Sequence, residues 1–263
     1  MSAGAGKEIV VTHETARRLA KDVKMVMRDT SLVNDGIFYK HDEANILKGY
    51  GVIVGPKDTP YSGGFYLFEF NYPSDYPSTP PTVLFMTNDG KTRFNPNLYK
   101  NSKVCISLLN TWKGDGWTGC MTIRTILITL QSLLIEEPLL NEPGIKITHP
   151  EVKNYREIIE FRNLQYANIE LVSGLFRNIP QIFPVQFTRF REDIIESFLK
   201  WYAYQLEKIV NLKVREDKLG FKSPIVRIIN SKLYGGMECH LDFSLLEARI
   251  TSIYNEIIES RQN

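Results

Sequence analysis

Cys105 is the residue of this chain best set up to act as a nucleophile, because of what stands on either side of it. A few positions upstream lies Asn95-Pro96-Asn97. Proline fixes its own φ and pushes the preceding residue to an extended conformation, so the tripeptide predicts a rigid turn that aims the Asn97 amide at the thiol. Downstream, Trp112 and Trp117 flank Lys113-Gly114-Asp115-Gly116, a loop whose glycines permit tight bends and whose indoles can pin it. The segment reads as a braced loop presenting one sulfur. A cysteine is also commonly no more than a small buried hydrophobe, so both readings of the sulfur stand at this point.

The chemistry open to such a thiol is narrowed by what is missing around it. A cysteine hydrolase needs a histidine to take the thiol proton. His13, His41, His149 and His240 all fall in segments that the reading does not bring beside Cys105. Exchange between a thiol and an existing thioester is nearly balanced in energy and proceeds from a small thiolate fraction, so it fits a cysteine loop with no histidine partner. A redox-sensing thiol would call for a resolving cysteine, for which Cys120 is the candidate.

Two further motifs precede the turn, Thr59-Pro60-Tyr61-Ser62-Gly63-Gly64-Phe65 and Tyr76-Pro77-Ser78-Thr79-Pro80-Pro81. In order and spacing they and the cysteine segment resemble the catalytic core of the ubiquitin-conjugating enzymes. The resemblance implies an α+β UBC fold: a four-stranded antiparallel meander packed on a central helix, with an N-terminal helix and a helical C-terminal extension. It implies an enzyme that accepts ubiquitin, or a ubiquitin-like modifier, from an activating enzyme as a thioester on Cys105 and passes it to a lysine of a protein substrate. By the same resemblance Glu142 occupies the position where many members place an aspartate ahead of a proline, and would help the attacking lysine lose its proton. Tyr99 falls where an aromatic residue helps desolvate that amine. Asn97 matches the asparagine of the family's His-Pro-Asn motif, as an oxyanion donor or as a brace for the loop. The motif's histidine is Asn95 here, a replacement also found in the larger members, so activity is still expected. The alternative is a non-catalytic UBC-fold scaffold that binds ubiquitin, although such variants lack the cysteine. No cofactor or metal is expected on this fold, ATP being used by the activating enzyme.

Arg17, Lys21, Lys24 and Arg28 recur at helical spacing, with Arg18 close by. On pattern alone this is a solvated basic face. The resemblance instead implies that it docks an acidic domain of the activating enzyme. Simple members grip a RING ligase with two loops that are apolar at their tips. Ser78 stands here where a large aromatic is common, and Gly119-Cys120 replaces a Pro-Ala pair, so ordinary RING ligases are expected to bind poorly. That would move partner choice to the C-terminal extension, which carries Trp201, Tyr202, Tyr204 and Tyr234.

Composition narrows the setting. With 43% hydrophobic and 24% charged residues the chain has the make-up of an ordinary globular protein, and a formal net charge of +2 gives no general case for binding nucleic acid or membrane. Three cysteines cannot make a disulfide framework and lack C-x-x-C spacing for zinc, which fits a reducing compartment. Neither a signal-like start nor a membrane-length apolar run is present, so cytoplasm or nucleus is expected.

The elements that must position these residues follow from periodicity. Residues 1–11 read as a flexible start, 12–170 as the core, and 171–263 as an extension packed on it. Thr12 should cap a helix that turns Ala16, Leu19, Ala20, Val23 and Met27 to the core. Strands are expected over 37–40, 46–54, 64–71 and 82–86. In the third, Tyr66, Phe68 and Phe70 share one face while Phe65 and Leu67 share the other, so both faces should be covered. A central helix over 122–136 carries Ile123, Ile126, Leu127, Leu130, Leu133 and Leu134 until Pro138 stops it. Another helix should run from Pro150 to about Ile169, with Gly174, Pro180 and Pro184 marking a break and helices near 198–210 and 245–258 beyond it.

Overall fold

The computed structural model describes residues 11–262; the flexible start expected for residues 1–11 lies, Val11 apart, outside them. Thr12 caps α1 (His13–Arg28), its Oγ1 accepting from the Thr15 amide at 3.1 Å. The buried stripe of α1 is Thr15, Leu19, Asp22 and Val26, whereas Ala20 is exposed and Met27 is 58% exposed, contrary to the expected stripe. Each of those two residues sits one position, about 100° of helix, past a buried one. The inward place goes to a polar residue instead, because Asp22 accepts hydrogen bonds from Tyr76 Oη at 2.6 Å and from Arg18. A short helix, α2 (Thr30–Asn34), leads into the sheet.

Strands β1 (Ile37–His41), β2 (Lys48–Val54), β3 (Phe65–Asn71) and β4 (Thr82–Phe85) form the antiparallel meander in sequence order. β2 starts later than expected because Asn45 turns the chain, its carbonyl and side chain accepting from the amides of Lys48 and Leu47. The register pairs Gly51 with Phe68 and Ile53 with Tyr66, which puts Ile37, Tyr39, Tyr66, Phe68, Phe70 and Phe85 on one face. Against it lies α3 (Ile123–Ser132); a Cβ on Gly51 would stand 3.1 Å from Leu127 Cδ2, so glycine lets helix and sheet approach. α3 ends at Ser132, short of residue 136. The Leu133 carbonyl is instead claimed by the side-chain amides of Asn95 and Asn141, each at 2.8 Å, and Leu134 is still buried just past the helix.

The C-terminal extension covers the other face of the sheet. Phe187 meets the Tyr50 ring edge-on at 5.5 Å, and Arg189 lies over that ring at 4.4 Å. Lys40 reaches Asp193 and the Arg189 carbonyl, each at 2.6 Å. A sheet buried on both faces explains why Phe65 to Phe68 is a continuous apolar run with no exposed position.

After α4 (Glu151–Arg162) the helix does not end near residue 169. It continues through a π-helical stretch, Asn163–Glu170, into α5 (Leu171–Phe176). Gly174 is therefore no break; a Cβ there would come within 2.7 Å of Ile182 Cγ2, so glycine admits the returning chain. The wide π turns bring two asparagines inward. Asn163 accepts from Tyr66 Oη at 2.6 Å and donates to the Ser62 carbonyl, and Asn168 donates to that of Gly63. Helices α6 (Arg191–Lys218) and α7 (Phe243–Gln262) pack together, with Tyr202 stacked on Tyr254 at 3.7 Å. Between them stands a hairpin absent from the helical reading of the extension: β5 (Ile228–Ser231) and β6 (Met237–His240), lying against α4. Its sequence signals are the alternation of Met237-Glu238-Cys239-His240 and Gly235-Gly236 at the turn, whereas Ile228-Ile229-Asn230-Ser231 does not alternate. No helix among the described residues is long and apolar enough to cross a membrane.

Candidate active site

Asn95, Pro96 and Asn97 form the expected turn, and it is Asn95 that holds it. Fully buried, Asn95 donates to Tyr61 Oη at 2.9 Å and to the Leu133 carbonyl. Its Oδ1 accepts from the Asn97 amide at 3.0 Å and from Asn141 at 3.3 Å. The residue that departs from the family motif is thus a structural node joining the turn to the end of α3 and the loop after it. From this turn the Asn97 carbonyl accepts from the Cys105 amide at 2.9 Å, and Asn97 Nδ2 donates to the Cys105 carbonyl at 2.6 Å. Two bonds from one residue clamp the backbone on both sides of the thiol. Of the two roles open to Asn97, bracing is the one its contacts serve, and its Oδ1 is buried without a hydrogen-bond partner among the described residues.

Cys105 is 2% exposed, and its Sγ donates to the Thr111 carbonyl at 2.9 Å. Thr111, not singled out from the sequence, ties this loop shut: its hydroxyl accepts from the Ile106 amide and stands 3.0 Å from the carbonyls of Val104 and Ile106. Trp117 pins the loop as expected, donating to the Pro77 carbonyl at 2.7 Å, whereas Trp112 is 47% exposed and pins nothing. Among the described residues all three cysteines are free and no histidine hydrogen-bonds Cys105.

Glu142 caps the 3₁₀ turn Pro138–Asn141, whose Asn141 bonds Asn95, so the loop that bears it is tied to the turn before the cysteine. Tyr99 presents its face to Arg93, with the guanidinium 3.4 Å from the ring centroid. Arg93 in turn donates to the carbonyls of Asn95 and Pro96, another brace that the sequence reading passed over.

The partner-binding candidates divide. Arg17, Lys21 and Lys24 are exposed along α1. Arg18 does not belong with them: it pairs with Asp22 at 3.0 Å and donates to the carbonyls of Gly119 and Met121 at 2.6 and 2.7 Å, anchoring the second loop to α1. Ser78, Gly119 and Cys120 are exposed, and the two loops lie side by side, a Cβ on Gly119 falling 3.9 Å from the Pro77 carbonyl. The aromatic residues of the extension are not a free surface. Trp201 and Tyr202 are half-buried against the core, and Trp201 packs on Tyr204.

A sequence-family model described as ubiquitin-conjugating enzyme matches residues 18–161, more than half of the 263 residues. The chain belongs to the ubiquitin-conjugating enzyme family. Ubiquitin-conjugating enzyme E2 Z of Homo sapiens is 33% identical over 249 residues, spanning 94% of this chain and 64% of that protein. The protein of the same name from Xenopus tropicalis is 31% identical over 254 residues, spanning 95% of this chain and 74% of its own length. Similarity to the E2 Z type therefore runs past the family match and through the extension. A solved structure of human ubiquitin-conjugating enzyme E2 G1 is 27% identical, covers 48% of this chain and 98% of its own, and superposes with a TM-score of 0.41. Cys105, Asn97 and Tyr99 fall inside the matched range, as does Glu142.

Proposed function

We propose that this chain is a conjugating enzyme that carries ubiquitin or a ubiquitin-like modifier as a thioester on Cys105. The observation that carries the reading is a cysteine clamped on both sides by Asn97, in a loop without histidine, within a chain of this family. In loading, the Cys105 thiolate attacks the thioester carbonyl on the activating enzyme, a new carbon–sulfur bond forms, and the activating enzyme's thiolate leaves. In discharge, a neutral lysine nitrogen attacks the same carbonyl, the bond to Cys105 breaks, and the amine's proton passes by way of Glu142 to water. Tyr99, whose ring is held by Arg93, would help desolvate that amine. No cofactor bound by this chain enters either step; ATP is consumed by the activating enzyme. Loading must also release Thr111, since its carbonyl now holds the thiol proton. The test is incubation with activating enzymes, ATP and several modifiers, followed by non-reducing gels. A band lost on adding reductant supports the reading, and its absence with every modifier returns the chain to the scaffold alternative.

Glu142→Ala and Asn97→Ala should load normally yet discharge to free lysine about tenfold or more slowly, the scale of a lost proton acceptor or of a misplaced reacting group. Raised pH should relieve the Glu142→Ala defect, because more of the lysine is already neutral. A defect that does not shrink there removes Glu142 from proton handling.

For the activating enzyme, the exposed Arg17, Lys21 and Lys24 form the docking face. Reversing all three to glutamate should slow loading at low salt and leave discharge unchanged, with the effect fading as salt is added, because steering acts on encounter. Equal loading by reversed and wild-type protein at low ionic strength makes this face a solvated surface only. Ligases would meet Ser78, Gly119 and Cys120, and the compartment consistent with three free thiols is the cytoplasm or nucleus.

A further inference from the structure

The hairpin of the extension reaches Glu142 through Tyr234. Tyr234 sits at the β5–β6 turn, and its hydroxyl donates to Glu142 Oε2 at 2.7 Å. The second carboxylate oxygen, Oε1, accepts no hydrogen bond among the described residues. Beneath the Tyr234 ring lies the guanidinium of Arg93, 4.7 Å from its centroid, the same group that stacks on Tyr99 and holds the Asn95 and Pro96 carbonyls. Tyr155 packs edge-on against the ring at 5.9 Å, and Lys100 Nζ reaches the carbonyls of Tyr234 and Gly236 at 3.3 and 3.4 Å.

Such a placement is not one a turn adopts by default. Tyr234 has φ 54° and ψ 37°, a left-handed conformation that is unfavourable for a bulky residue, while the positive-φ positions after it are filled by Gly235 and Gly236. The contacts to Glu142, Arg93 and Tyr155 over-determine this strained conformation, the usual circumstance in which strain persists. Packing alone would be served by the ring on Arg93 and Tyr155. Among the described residues the hydroxyl has one hydrogen-bond partner, and that partner is Glu142. Burial, together with the adjacent carboxylate, pushes the Tyr234 phenol well above its ordinary range, so it remains a donor at neutral pH.

We propose that Tyr234 is a positioning residue for the transfer step: it fixes Glu142 through Oε2 and leaves Oε1 as the face that meets the incoming amine. The inference rests on the conjugating reading above and adds that the extension completes the site. A carboxylate on a loop samples several rotamers, and holding one oxygen removes that freedom before the amine arrives. Modifier loading, which does not use Glu142, is unaffected by the hydroxyl.

The experiment is single-turnover discharge of full-length enzyme charged with modifier to free lysine, comparing wild type, Tyr234→Phe, Glu142→Ala and the double variant. Tyr234→Phe keeps the ring on Arg93 and should load at the wild-type rate. Its maximal discharge rate should fall about fivefold, the scale of one ordinary net hydrogen bond, with the half-saturating lysine concentration unchanged. In the Glu142→Ala background the same change should do nothing further, since the coupling runs through that carboxylate. Glu142→Asp, too short to meet the hydroxyl, approaches the contact from the other side and should likewise be insensitive to Tyr234→Phe. Discharge of Tyr234→Phe at the wild-type rate, or an equal slowing with and without Glu142, overturns this proposal while leaving the conjugating function intact. Wild-type protein that never forms a thioester overturns both.

Discussion

Cys105→Ser is expected to abolish the reductant-sensitive adduct altogether. Serine keeps the size and the loop but not the chemistry: its hydroxyl is un-ionised at neutral pH with no histidine to activate it, so any adduct would form slowly and, as an oxygen ester, would survive reductant. The other two thiols serve as controls. Cys239 is buried, and burial pushes its thiol up to about 11, leaving roughly one thiolate in ten thousand near neutral pH. Cys120 is exposed and therefore free to react with small alkylating agents, but no clamp like that of Asn97 surrounds it. A reducible adduct that persists in Cys105→Ser, or that maps to Cys120 or Cys239, would falsify the assignment of the nucleophile.

The largest effect on stability should come from Arg227, just ahead of β5. Arg227 joins Glu157 of α4 to Glu216 of α6, with Nε 2.7 Å from Glu216 Oε2, and Arg215 approaches Glu216 at 3.1 Å. The Glu216 side chain is only 4% exposed. Arg227→Met fills similar volume but leaves that carboxylate with only the more exposed Arg215, and breaking a buried pair from one side costs about 3 kcal/mol. For a chain of this size that lowers the unfolding midpoint by roughly 6–12 °C. Burial alone would raise the Glu216 pKa, but the hydrogen bond and charge of Arg227, aided by Arg215, outweigh it and hold the carboxyl below its usual 4.5. A depressed folded pKa means stability that is fully present above about 4.5 and lost as the pH falls through the folded value. The gap between wild type and Arg227→Met should therefore be widest near neutral pH and narrow on acidification below about 4.5. Chemical unfolding at a series of pH values measures it. A gap that widens in acid, or a neutral-pH difference under about 1 kcal/mol, would contradict this account of the network.

Because Arg227 precedes β5 and Tyr234 follows it, the two predictions meet in the hairpin. Loosening the ion network should also weaken the grip on Glu142, whereas Tyr234→Phe should leave the unfolding midpoint nearly unchanged. The extension thus covers the second face of the sheet through the segment around Phe187, and on the proposal above it would also support the transfer step through its hairpin.

Local chemistry sufficed for much of this. Proline in Asn95-Pro96-Asn97 restricts two residues whatever surrounds them, so the turn before Cys105 was legible. The Thr12 cap, the alternation of β3 and the apolar period of α3 are likewise short-range patterns, and they located the first helix, the meander and its central helix to within a few residues. Where the reading went astray, a distant partner had overruled a local preference. Asp22 took an inward place because Tyr76 and Arg18 satisfy it, α3 stopped early because Asn95 and Asn141 claim the Leu133 carbonyl, and Gly174 stayed helical because Ile182 needs the space.

The same division runs through the site. The neighbours of Cys105, together with the family resemblance, pointed to it as the candidate nucleophile. That Arg18 is an anchor and not part of the docking face, that Thr111 closes over the thiol, and that Tyr234 stands on Glu142 are matters of side chains between 6 and 103 positions apart in the sequence. Periodicity reports which face of its own element a residue occupies, but it carries no record of which other element arrives there. Only the folded chain, by covering both faces of the sheet and laying the hairpin against α4, decided those meetings.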